Sequence, residues 1–228
     1  PFSSRRRHTR LHEKSRGLGD VYKRQDENGL VALCLDDKKT LRLIQRMLYD
    51  PYEENRWRIA WLTGRVCARV ATRDPGQVSE LVHRLFEACS DSAATPWGMI
   101  ETIGSVVALR PDIFGAFTRH LLGFVSADSM RVQVIWALAE IAERRPDLVR
   151  ETPFYSMVHF RNHPDPAVRG QLARLLGRIT ATAASIQLMG LHQDVAELMI
   201  WEQGAPVQTT VAEQAALAIK RIQGQKEQ

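Results

Sequence analysis

Cysteine is scarce in this chain. Cys34, Cys67 and Cys89 are the only three among 228 residues, and they fall at no metal or redox spacing. So odd and sparse a set excludes a disulfide framework and fits a reducing cytoplasm. No apolar run approaches the roughly 20 residues that cross a bilayer, and no signal-peptide pattern is present. There is no glycine-rich phosphate loop, no nucleophile elbow and no CxxC. Histidines outside the first 25 residues are His83, His120, His159, His163 and His192. Only His159 and His163 stand four apart, and Pro164 follows directly, so the pair straddles a helix end and reads as a surface pair rather than a metal site. No metal or cofactor is expected. Strand signal is nearly absent until residue 196.

What is present begins with charge. The chain holds 31 Lys+Arg and 26 Asp+Glu, for a net +5. Residues 1–25 carry eight of the basic residues and two of the acidic ones, leaving 23 against 24 and a net of −1. The excess basicity therefore lies wholly in the opening stretch. Clustered Lys/Arg is the composition of a phosphate-binding arm. However, "FSSRRRHTR" and "GLGDVYKRQ" resemble translated sequencing-adapter or library-linker sequence of a metagenome-derived reading frame, and position 1 is proline rather than methionine. Residues 1–25 are expected to be a disordered, non-native segment that takes no part in the fold, with the native N-terminus lost. Residues 26–228 are expected to form one domain. Without the arm, nucleic acid is an unfavoured partner.

The rest is helical periodicity broken at regular intervals by Pro, Gly and Asp. Five segments align: "WRIAWLTGRV" (57–66), "WGMIETIGSV" (97–106), "VQVIWALAEI" (132–141), "GQLARLLGRI" (170–179) and "EQAALAIKRI" (213–222). The anchor positions are Gly64, Gly104, Ala139, Gly177 and Lys220. Four of the five are small, as close helix approach requires. Apolar residues hold equivalent places: Ile59, Met99, Val134, Leu172 and Ala215, then Val66, Val106, Ile141, Ile179 and Ile222. That is one helix face repeated five times. Between these segments lie further amphipathic stretches, entered through "RDPG" (73–76) and "RPD" (110–112 and 145–147), where proline suits the first helical turn. The unit is a helix–turn–helix of about 40 residues, which must stack on neighbours to bury its apolar face.

This period, with "NHPDPAVRGQLARLLGRI" (162–179) as its clearest instance, resembles HEAT repeats of the armadillo-type fold. Residues 30–223 resemble a small prokaryotic HEAT-repeat family, most closely at "RMLYDPYEENRWRIAWLTGRV" and "PWGMIETIGSVVALRPDIFG". The resemblance implies an all-α fold, a right-handed α-solenoid of about five HEAT-like helix pairs. It implies no substrate. Near the C-terminus, "AELMIWEQGAPVQTTVAEQAALAI" departs from the repeat. A β-rich run, Gln203-Gly204 and "PVQTTV" read as a hairpin at about 196–210. Thr210 to Glu213 fits a capping box, so the last helix is placed at about 211–223. The hairpin is expected to cover the exposed end of the solenoid.

In HEAT solenoids the second helices line the concave surface. Positions three before and one after each anchor lie on one face. With one turn earlier included, that face carries Trp57, Trp61, Arg65, Trp97, Glu101, Trp136, Glu140, Arg174 and Arg178. Aromatic residues and arginine among carboxylates are the composition of a protein-binding hot spot. Trp61 and Trp136 share the face with charged residues and are the foremost candidates for anchors. The expected function is a non-catalytic cytoplasmic scaffold or adaptor that binds another protein. Two other readings stay open. HEAT-like alkylpurine DNA glycosylases need an aromatic and acidic cleft beside a basic stripe, and Trp97 with Glu101, or Trp136 with Glu140, has part of that composition. No motif excludes a phycobilin-lyase-like HEAT protein. The repeated His-Glu pairs of deoxyhypusine hydroxylase are missing, since His12-Glu13 is the one such pair.

Overall fold

The computed structural model describes residues 26–50, 52–91 and 98–224. The opening basic segment and Trp97 lie outside the described residues. The described chain is mostly helical, with one two-stranded antiparallel sheet near its end. Its helices are α1 (Glu27–Asp36), α2 (Thr40–Met47), α3 (Glu53–Val70), α4 (Pro75–Ser90), α5 (Met99–Leu109), α6 (Pro111–Phe114), α7 (Thr118–Leu122), α8 (Arg131–Arg144), α9 (Pro146–Arg150), α10 (Pro166–Arg178) and α11 (Ser185–Gly190). Strands β1 (Glu197–Glu202) and β2 (Ala205–Thr210) follow, then α12 (Val211–Gly224). Short 3-10 segments occupy Gly115–Phe117, Phe154–Asn162 and Thr182–Ala184. No helix of the described residues is long and apolar enough to cross a membrane.

Local chemistry sets the helix starts. Asp74 accepts from the Gln77 N–H at 3.1 Å and Pro75 opens α4. Asp165 accepts from the Ala167 N–H at 2.8 Å and Pro166 opens α10. Each satisfies a backbone donor that has no partner within the helix. The two "RPD" turns have one construction: Arg110 donates to Asp112 at 2.8 Å and Arg145 to Asp147 at 2.6 Å, each across the proline. Arg110 also reaches back to the Ala68 carbonyl at 3.2 Å, tying the start of α6 to the end of α3. The capping box is complete. Glu213 N–H donates to Thr210 Oγ1 at 3.2 Å, and Thr210 N–H donates to Glu213 Oε2 at 3.0 Å.

The five aligned segments become α3, α5, α8, α10 and α12. Each packs on the next: α3 on α5, α5 on α8, α8 on α10 and α10 on α12. The small anchors sit at these contacts. A Cβ on Gly64 would strike Ser105, one on Gly104 would strike Ala137, and one on Gly177 would strike Ala218. The intervening elements cover a second side: α4 against α5, α7 and α9 against α8, the 3-10 segment 154–162 against α10, and α11 against α12. The core runs through this double layer, with Val66, Ile103, Leu138, Leu175 and Ala215 inaccessible.

β1 and β2 pair from Glu197 opposite Thr210 to Glu202 opposite Ala205. The two-residue turn has Gln203 at φ 52° and Gly204 at φ 79°, the signature of a type I′ hairpin. β1 packs on α10, where Leu198 fills the space over Gly170, while β2 reaches α3, where Gly204 lies against the Trp61 ring. This corrects the expectation of an end cover. The hairpin reaches from α10, near the end of the helix row, back to α3 at its start, and lies on the face these helices share.

Candidate functional site

That hairpin face begins with a tryptophan cluster. Trp57 of α3 and Trp201 of β1 stack at 5.5 Å with planes 10° apart, and Trp136 of α8 meets Trp57 edge-on at 4.7 Å. All three are buried. Trp136 Nε1 donates to the Trp201 carbonyl at 2.8 Å, and Trp57 Nε1 donates to Glu53 at 3.2 Å. Both indole N–H groups are thereby satisfied within the chain. Such aromatic pairs contribute about 0.5–1.5 kcal/mol beyond their burial, so the cluster fastens the hairpin to the helices.

This alters the place of three residues expected on a binding surface. Trp57 is 4% exposed because Trp201 covers it, so it packs instead of meeting a partner. Trp136 is equally buried, although it also lines the cavity described below. Glu101 on the first turn of α5 is 4% exposed, and its Oε2 has no hydrogen-bond partner among the described residues. Burial pushes its carboxyl up to about 7, against a backbone hydrogen bond and the charge of Arg56.

Beside the tryptophans a cavity of about 460 Å³ opens under the hairpin turn. Every helix of the row contributes: Trp61 and Arg65 from α3, Ser105 from α5, Trp136, Glu140, Glu143 and Arg144 from α8, Arg174 and Arg178 from α10, and Arg221 from α12. Glu202 and Gln203 of the hairpin close it. Five arginines thus face three glutamates. Trp61 is half-buried at the rim, with the Arg65 guanidinium 5.0 Å from its ring centre. Arg65 in turn donates to Glu27 of α1 at 2.6 Å.

Arg174 and Arg178 are one turn apart on α10; Arg174 is buried and Arg178 largely so, and both belong to one ion-pair network. Both donate to Glu140 Oε1, at 2.7 and 2.8 Å. Arg174 also meets Glu202 at 3.2 Å. Arg178 and Arg221 share Glu143 Oε2, at 2.8 and 2.7 Å. Burial lowers the affinity of Arg178 for its proton, and the adjacent Arg174 charge adds to this. Burial pushes the Glu143 carboxyl up, but the Arg221 hydrogen bond and the charges of Arg178, Arg221 and Arg174 hold it below its ordinary value. Arg144 is exposed and has no ion-pair partner among the described residues.

Of the nine face residues read from the repeat, six line the cavity or its rim: Trp61, Arg65, Trp136, Glu140, Arg174 and Arg178. The charged lining residues outside those nine are Glu143, Arg144, Glu202 and Arg221. Glu143 and Arg144 lie three and four positions beyond Glu140, a spacing that puts them on its helix face. Arg221 holds the place in α12 that Arg65 and Arg178 hold in their segments. Trp201 and Glu202 left no such signal, because a hairpin has no register with a helical repeat.

Of the histidine pair, His163 is engaged locally at both ring nitrogens. His163 Nε2 lies 3.0 Å from Arg131 Nη1, and its Nδ1 lies 3.1 Å from the Asp165 backbone nitrogen. Among the described residues no three His, Cys, Asp or Glu side chains gather as a metal set. Comparison with family models, with curated proteins and with solved structures found no match.

Proposed function

We propose that the chain is a HEAT-like, right-handed α-solenoid and a non-catalytic cytoplasmic adaptor, whose concave face holds an acidic segment of another protein. The solenoid reading is supported by five equivalent helices in sequential contact, with glycines at the crossings. A reducing compartment is consistent with three buried, unpaired thiols. The observation that carries the binding reading is the cavity under the hairpin. One cleft draws charged side chains or rim contacts from all five helices, and its five arginines exceed its three glutamates. Such an excess steers and registers an acidic partner.

The same observation weakens the glycosylase reading. Base excision needs a free acidic group in an open aromatic pocket and a continuous basic stripe along the phosphates. Here Trp136 is covered, Glu140 already accepts from two arginines, and carboxylates interleave with the basic groups. No feature of the site specifies a bilin.

The test is differential capture from a bacterial lysate with wild type and Arg144→Glu. Arg144 is exposed, so the exchange leaves the fold intact. A protein retained by wild type, lost by the variant and displaced by a hexaglutamate peptide supports the adaptor. Identical retained sets, unaffected by the peptide, refute it.

A further inference from the structure

Arg174 is 6% exposed and lines the cavity, yet one nitrogen of its guanidinium, Nη1, is buried without a hydrogen-bond acceptor. An arginine cannot escape this by losing its proton, and a buried charged donor left unserved is costly. Its other terminal nitrogen is served by Glu140 and, at 3.2 Å, by Glu202. Glu202 is the weaker contact. It stands beside the hairpin turn with its side chain 49% exposed. The charge of Arg65 is met outside the cavity by Glu27. Four arginines then remain against Glu140, Glu143 and Glu202, and the exposed Arg144 has no carboxylate.

We propose that this cavity is a carboxylate-binding site with two receiving points, Arg174 and Arg144, and that acidic side chains of the partner segment occupy it. One carboxylate displaces Glu202 from Arg174 and supplies the missing acceptor. A second pairs with Arg144 at the mouth. The flat, forked donor array of arginine suits carboxylates in this role. Trp61 offers no stacking platform, since Arg65 lies over its ring and Gly204 abuts it, so the ligand class is an aliphatic polyanion rather than a nucleotide base. The proposal rests on the reading of this face as a binding face.

The full chain is titrated with citrate and with hexaglutamate, at constant ionic strength, while tryptophan fluorescence is followed. Trp61→Phe identifies the signal that arises at the cavity. Both probes are expected to saturate it and to compete. Arg144→Gln is expected to weaken both by about tenfold or more, with the far-UV spectrum unchanged. Arg174→Gln is expected to weaken both as well, and its far-UV spectrum checks that it folds. Citrate binding that depends on Arg144 while hexaglutamate fails to bind keeps the carboxylate site and defeats the partner-segment reading. Hexaglutamate binding that neither Arg144→Gln nor citrate disturbs defeats the site and leaves partner binding elsewhere on the chain. Absence of any saturable signal defeats both.

Discussion

Glu101 shows how far a single position departs from its neighbours. Its carboxyl is buried on α5 and titrates near 7, against an ordinary value of 4.5. Between those two values the folded chain keeps a proton that the unfolded chain has released. Stability therefore falls as pH rises through that window, and the full cost is present above it. Glu101→Gln should raise the unfolding free energy by about 1–3 kcal/mol at pH 8 and change it little at pH 5. Urea denaturation at the two pH values measures this, and an equal effect at both would show that ionisation is not the cause. The cysteines make a second case. Burial pushes the Cys34 and Cys89 thiols up to about 12, and that of Cys67 further in the same direction. A thiol held protonated and enclosed is a poor nucleophile. All three should resist a disulfide reagent in the native state and react fully in guanidinium. Rapid native labelling of one thiol would contradict this placement.

At the scale of elements, glycine decides how closely the helices approach. At Gly104 a Cβ would lie 2.9 Å from the Ala137 Cα and closer still to its Cβ, so α5 and α8 would have to separate. Gly104→Ala should destabilise by about 1–3 kcal/mol. Gly190→Ala, with nothing near the added methyl group, should stay within about 0.5 kcal/mol. Thermal melts of the two variants compare them directly. The hairpin depends on Trp201, which stacks on Trp57 and whose carbonyl receives the Trp136 N–H. Trp201→Ala should cost about 3–5 kcal/mol and expose Trp57, which acrylamide quenching would detect. The helix row was legible in the sequence because one period placed small anchors and apolar residues at matched positions. The capping box and the Gln203-Gly204 turn were legible for the same local reason. Where the hairpin docks was not legible. Strand alternation specifies which side chains share a face, but not which helices lie beneath it. That is why Trp57 read as a residue of the binding face, although Trp201, 144 positions later in the chain, covers it.

Over the whole molecule, charge is divided. The first 25 residues hold the basic excess, and the remainder is nearly neutral, with five of its arginines and three of its glutamates interleaved around one cavity. A nearly neutral body has little general attraction for a phosphate backbone, whereas a local arginine excess still selects carboxylates. The most direct measurement of this account is fluorescence anisotropy on residues 26–228, with labelled hexaglutamate and labelled duplex DNA titrated in parallel across a salt series. Saturable binding of the peptide and none of the duplex is expected. Duplex binding with a steep salt slope, and no binding of the peptide, would contradict it.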